Sequence, residues 1–199
     1  MKNLISSTVI LLLLTLSVSI MPTEAEAKIY DDTLRLHIIA NSDSAEDQAL
    51  KYEIRDLLLQ KYGDRLKNSE SIDEAVRSAG GLLYEMENDV QLWMQERGRD
   101  YSATITLTEE WYDTREYSDF SLPAGKYKSL RVIIGEGEGQ NWWCVMYPPL
   151  CLELALENAP PDSGLINYSK EEIKLISGER YNVKFKFLEI LSDAFTKNG

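Results

Sequence analysis

The apolar period of this chain changes sharply near Gly98, and that change limits the fold more than any other feature. Between Asp43 and Gly98 apolar residues recur at helical spacing, whereas from Tyr101 onward they alternate. Leu34 to Ala40 (LRLHIIA) precedes the helical stretch and reads as a buried strand ending at Asn41-Ser42. Asp43 with Glu46 three residues on forms a capping-box-like start. The helix that follows carries the stripe Leu50, Ile54, Leu57 and Leu58 to about Tyr62, with Gly63 as its expected stop. A second helix starts at Ser71, with Glu74 in the same capping role. Val76, Ala79, Leu83, Met86, Val90 and Trp93 or Met94 keep its spacing down to Gly98. Gly80-Gly81 in its middle marks a close approach to a neighbour or a break.

The alternating half begins with Ala103, Ile105 and Leu107 between Thr104, Thr106 and Thr108, the pattern of a half-exposed antiparallel strand. Glu109-Glu110 is expected to turn it into a second strand, Trp111 to Tyr117. Pro123-Ala124-Gly125 reads as a turn, Leu130 to Ile134 as a central strand, and Trp142 to Met146 as its antiparallel return, stopped by Pro148 and Pro149. Ala159 to Gly164 (APPDSG) reads as a surface loop. Beyond it, Ser169 to Ile176 and Leu188 to Phe195 read as short helices, and Tyr181 to Phe187 (YNVKFKF) alternates again. The sum is an α+β fold, a largely antiparallel sheet with two long helices packed on one face.

Lys2, the apolar run Leu4 to Ile20, Pro22 and the small-residue site Ala25-Glu26-Ala27 have the order of an export signal cleaved after Ala27. The run also sits at the short limit for an uncleaved membrane anchor. Residues 1–27 are therefore read as a signal peptide or anchor, and residues 28–199 as one exported domain. The formal net charge of −12 argues against nucleic acid and against anionic membrane surfaces, which select basic patches.

Leu122 to Cys151 (LPAGKYKSLRVIIGEGEGQNWWCVMYPPLC) holds two of the four tryptophans and both cysteines. Aliphatic cores do not need Asn141-Trp142-Trp143-Cys144 running into Pro148-Pro149-Leu150-Cys151, whereas adjacent indoles are over-represented at protein interfaces. Asn141, Trp142, Trp143 and Tyr147 are the candidate partner surface, with Gly135, Gly137 and Gly139 as its adaptable rim. The glycine run is no phosphate cradle, because it carries Glu136 and Glu138 and leads into a strand. Cys144 and Cys151, an even pair in an exported chain, read first as a disulfide. Against this, two cysteines on one continuing strand would point apart. A Cys144–His37 thiol enzyme is the competing reading, since His37 is the sole histidine. A packed strand histidine is the plainer account of it. One His and two Cys fall short of a closed zinc site, so no metal and no other cofactor is expected.

Two stretches, Leu122 to Cys151 and Arg35 to Asp56 (RLHIIANSDSAEDQALKYEIRD), resemble the stage II sporulation protein R family of endospore-forming bacteria. The resembling positions include Leu122-Pro123-Ala124-Gly125, Tyr127, Leu130-Arg131-Val132, Gly135, Gly137, Gly139, Asn141 to Val145 and Pro148 to Cys151. Ser129, Tyr147 and Leu152 depart from the family pattern. The resemblance implies a signalling protein made in the forespore and exported into the space between the forespore and mother-cell membranes. There it would activate a membrane-embedded aspartic-type protease that processes the pro-sigma-E factor. It would act as a protein ligand and not as the peptidase. A hydrolase or a spore-envelope structural component is the alternative.

Overall fold

The computed structural model describes residue 10 and residues 24–117, 120–149 and 168–177. The expected export segment up to residue 20, Cys151, and the expected elements at 181–187 and 188–195 lie outside the described residues. Helix α1 (Glu24–Asp31) leads into strand β1 (Leu34–Ile39), followed by helices α2 (Ala45–Lys67) and α3 (Ile72–Glu96). Then come β2 (Ala103–Tyr112), the short β3 (Arg115–Glu116) and β4 (Ser121–Leu122), β5 (Gly125–Ile134), β6 (Asn141–Tyr147) and helix α4 (Lys170–Ile176). No helix among the described residues is long and apolar enough to cross a membrane.

The main sheet runs β2-β5-β1-β6, and β3 pairs with β4 in a small hairpin. The fold is α+β as the period change implies, but the neighbours differ from expectation. The return strand β6 does not pair with β5; it lies antiparallel on β1, and β1 inserts parallel to β5. Sequence order favours pairing β5 with β6, yet β1 is apolar on one side throughout and is buried best in the centre of the sheet.

Register then assigns the two faces. Leu36 pairs with Leu130 and Cys144, Ile38 with Val132 and Trp142, and Ile105 with Val132. Leu36, Ile38, Leu130 and Val132 are fully buried on this face. Helices α2 and α3 cover it, burying Ile54, Leu58, Tyr62 and Leu66 from one and Ala79, Met86, Val90 and Met94 from the other. Lys61 and Tyr62 both reach Asp89, tying the helices together on their wetter side.

The opposite face is aromatic and polar. Arg35 is fully buried there, with its guanidinium 3.9 Å from the centre of the Tyr112 ring and 5.0 Å from that of Tyr127. Its Nη2 donates to the Tyr117 hydroxyl of the β3–β4 hairpin at 3.1 Å, while Nε and Nη1 have no hydrogen-bond partner among the described residues. The ring faces therefore carry much of this charge's solvation. Helix α1 closes the same end, with Tyr30 edge-on to Tyr127 at 5.2 Å and its hydroxyl donating to the Ala124 carbonyl at 3.1 Å. Ile29 and Tyr30, just past the expected cleavage after Ala27, belong to this packing.

Several boundaries moved. The first long helix starts one residue late, because Ser44 is the cap and its hydroxyl accepts the Asp47 N–H. Gly63 does not stop it; Leu66 is buried one turn on and pulls the helix to Lys67. Glu109-Glu110 does not turn the chain, since β2 continues through both in register with Lys128 and Tyr127. Lys126 pairs with Glu109 at 2.7 Å, and His37 and Arg131 hold Glu110 at 3.1 and 3.2 Å, so the adjacent like charges are neutralised separately. Gly80-Gly81 leaves the second long helix unbroken.

Candidate functional site

Alternation along β6 separates the two tryptophans. Trp142 pairs with Ile38 on the helix-backed face and lies 5.2 Å from the Arg55 guanidinium of α2. Trp143 pairs with His37 on the aromatic face. The two indoles therefore do not make one continuous aromatic surface, contrary to expectation, because neighbours in a strand point to opposite sides. Tyr147 leaves the candidate surface as well: it is 6% exposed, in the core end of β6 beside the cis Tyr147-Pro148 bond.

What gathers on the aromatic face is a stacked set centred on Trp143. The His37 ring stacks on the indole with centroids 5.5 Å apart and planes at 19°. The Arg115 guanidinium lies 3.8 Å from the indole centre. The edges of His37 are also fixed: Nδ1 faces the Glu110 carboxylate at 3.1 Å, and Nε2 faces the exposed Asn141 side-chain oxygen at 2.8 Å. Arg131 pairs with the other oxygen of Glu110 at 3.2 Å. Trp143 thus touches both His37 and Arg115, and His37 is fixed in turn by Glu110 and Asn141, so the indole is held in one orientation before any partner arrives. The lone histidine is a packed strand residue, as its apolar surroundings suggest, and it also orients the candidate surface.

The glycine loop is a fixed element and not an adaptable rim. Gly135 has φ 57°, and a Cβ there would land on Asn41 Oδ1. Gly139 is buried, and a Cβ there would meet the Ser42 backbone. The Asn-Ser-Asp-Ser run grips the loop directly. Asn41 Oδ1 accepts the Glu136 N–H at 3.0 Å, the Asn41 and Ala40 carbonyls accept those of Glu138 and Gly139 at 3.2 and 2.9 Å, and Asp43 Oδ1 accepts that of Gln140 at 2.7 Å. Gly137, with φ 66°, sets the turn between them. The buried Lys51 ammonium donates to the Gln140 carbonyl at 2.9 Å and to Gln48 at 2.6 Å. Burial pulls Lys51 below its usual range, and nearby Asp43 opposes that shift. At Asp47 burial works against the charge, but bonds from Ser42 at 2.6 Å and Asn41 at 2.8 Å help to outweigh it and hold the carboxyl below its ordinary value. The two sequence motifs are thus halves of one interlocked structure that fixes where β6 begins.

Cys144 is buried and disulfide-bonded, and it lies on the helix-backed face opposite His37. A bonded sulfur on the far side of the sheet cannot serve as a nucleophile for that histidine. Among the described residues no cluster of His, Cys, Asp or Glu could hold a metal ion. Arg115 and Glu110 are the site residues that sequence reasoning missed. Glu110 was read as part of a turn, and the one visible hint was a carboxylate pair at the end of a long alternating run. Arg115 carried no signal, since its partner ring is 28 residues away in the chain.

The family model for stage II sporulation protein R matches residues 30–156, which includes the interlocked motifs and the whole Trp143 set. The chain belongs to this family. It is 37% identical over 121 residues to the stage II sporulation protein R of Bacillus subtilis (strain 168), covering 61% of this chain and 54% of that protein. It therefore spans about half the length of that relative. No solved structure matches.

Proposed function

We propose that this protein is an exported sporulation signal that acts as a ligand. It crosses from the forespore into the space facing the mother cell and activates a membrane-embedded aspartic-type protease there. That protease then removes the pro-sequence of the pro-sigma-E factor. Family membership supports a role in sporulation. The observation that carries the ligand reading is the Trp143 stack, a half-buried indole held between His37 and Arg115. Tryptophan and arginine dominate protein–protein hot spots, and an indole fixed beforehand loses little side-chain entropy on docking. The membrane partner is met through the protein surface, and the N-terminal segment would touch the membrane only if uncleaved.

Reconstitution in a non-sporulating host tests this reading. The domain is co-expressed with the cognate membrane protease and its pro-sigma substrate, and pro-sequence loss is followed by gel mobility. Cleavage that requires the domain is expected, and it should survive His37→Gln, which keeps a polar planar side chain in the stack. Absence of cleavage with intact, folded domain would refute the proposal.

A further inference from the structure

The two outer strands of the main sheet are β2 and β6, and β2 is protected over only half its length. Ala103 N–H donates to Gln91 Oε1 at 3.2 Å, and Ile105 N–H donates to Glu87 Oε2 at 2.9 Å. These donors point away from β5, so the next outward residues are Leu107, Glu109 and Trp111. Gln91 and Glu87 stand one helical turn apart on α3. One and two turns further toward its N-terminus the same face offers Leu83, then Ala79 and Gly80, none with a side-chain acceptor. Among the described residues no group takes up the outward N–H of Leu107, Glu109 or Trp111. Gly80 lies against Leu107, with 3.5 Å from a would-be Cβ to Leu107 Cδ1, and Gly81 has nothing within 4 Å. The glycine pair thus leaves bare space on the helix near the unprotected part of the edge.

The side chains beside this open edge are distinctive. Trp111 is 59% exposed, and Glu109 lies two residues away on the same face with its carboxylate 60% exposed. Glu110 lies on the opposite face with His37 and Arg131, so the carboxylates offered along this edge are Glu109, which the exposed Lys126 shares at 2.7 Å, and the exposed Asp113. We infer that β2 from Leu107 to Trp111 accepts an added strand from a protein partner carrying alternating basic and apolar residues. The outward backbone groups would supply the ladder. A lysine or arginine opposite Glu109 would gain a carboxylate and the Trp111 ring face together. A second copy is a poor occupant: antiparallel self-pairing of residues 107–111 sets Glu109 against Glu109, and like charges directly opposed destabilise a sheet. This edge lies across the sheet from the Trp143 strand, so the inference stands whether or not the ligand reading above is right.

Site-resolved amide exchange of the full exported chain tests it, with acetylated and amidated heptapeptides as probes. One alternates lysine with valine and the other glutamate with valine. The lysine peptide is expected to slow exchange at Leu107, Glu109 and Trp111 by about tenfold at saturation. Thr106 and Thr108, already bonded to β5, should not change. Glu109→Pro removes an outward donor without touching the β5 ladder and should abolish the effect. Trp111→Ala, which keeps every backbone donor, should weaken peptide binding several-fold and guards against a folding defect in the proline variant. Unchanged exchange with the lysine peptide would overturn the inference, as would equal protection by the glutamate peptide. Protection already present in the free chain would also overturn it: concentration-dependent protection would assign the edge to a second copy, and constant protection to another segment of this chain.

Discussion

The two faces of the central sheet are written by the same strands but held by different physics. On the helix-backed face, Leu36, Ile38, Leu130 and Val132 are interchangeable in kind, and their burial against α2 and α3 is the main driving force. On the other face each residue depends on particular partners: Arg35 on two tyrosine rings, His37 on Glu110, Asn141 and Trp143, and Trp143 on Arg115. The first face tolerates volume-conserving change and supplies stability. The second supplies geometry, and the interlock of the Asn-Ser-Asp-Ser run with the glycine loop extends that geometry to the start of β6. A sheet divided in this way can keep a binding face constant while its core drifts.

The largest effect is expected on the apolar face. Ile38→Ala should cost about 2–5 kcal/mol in denaturant unfolding, and signalling should fall only with the folded fraction. A loss of activity in fully folded protein would break the contrast. Gly135→Ala should cost about 1–3 kcal/mol from its positive φ alone, more if Asn41 cannot withdraw. Wild-type stability would mean that the interlock is loose. Glu110→Gln, which takes the charge from between His37 and Arg131, should cost about 1–2 kcal/mol in the same unfolding measurement. It should also shift the His37 and Trp143 resonances. An unchanged histidine signal would show that the stack does not depend on that carboxylate.

Asp47 gives the smallest effect and a signed one. Its carboxyl is held below the ordinary value in the folded protein, so its contribution is complete above about pH 4 and is lost as pH falls through the folded value. Asp47→Asn should therefore lower stability at neutral pH and flatten the acid limb of the stability profile. Identical acid limbs would remove Asp47 from the interlock.

Legibility in the sequence follows the same division. Helical and alternating periods located both long helices, the first strand and most of the sheet, because one-sided apolar burial leaves a repeating trace. The Ser71 cap was legible, since its hydroxyl does accept the Glu74 N–H at 3.3 Å. Strand order was not, because nothing local says that β1 will separate β5 from β6. The Trp pair is legible as unusual, and strand alternation is what divides it between the two faces. Arg115, Glu110 and the grip of Asn41 on Gly135 stayed hidden, since each joins residues distant in the chain through one pairwise contact.

The claim most in need of a direct measurement is that the Trp143 side of the sheet is the signalling surface. In the reconstituted cleavage assay, Trp143→Ala and Trp142→Ala would be titrated side by side, each checked by its amide spectrum. Trp143→Ala is expected to lose about 2–4 kcal/mol of partner binding, and so roughly 30-fold or more in the dose that triggers cleavage. Trp142→Ala, facing the helices, should stay within a few-fold of wild type. Equal losses in the two folded variants, or full activity in Trp143→Ala, would contradict the assignment of that face.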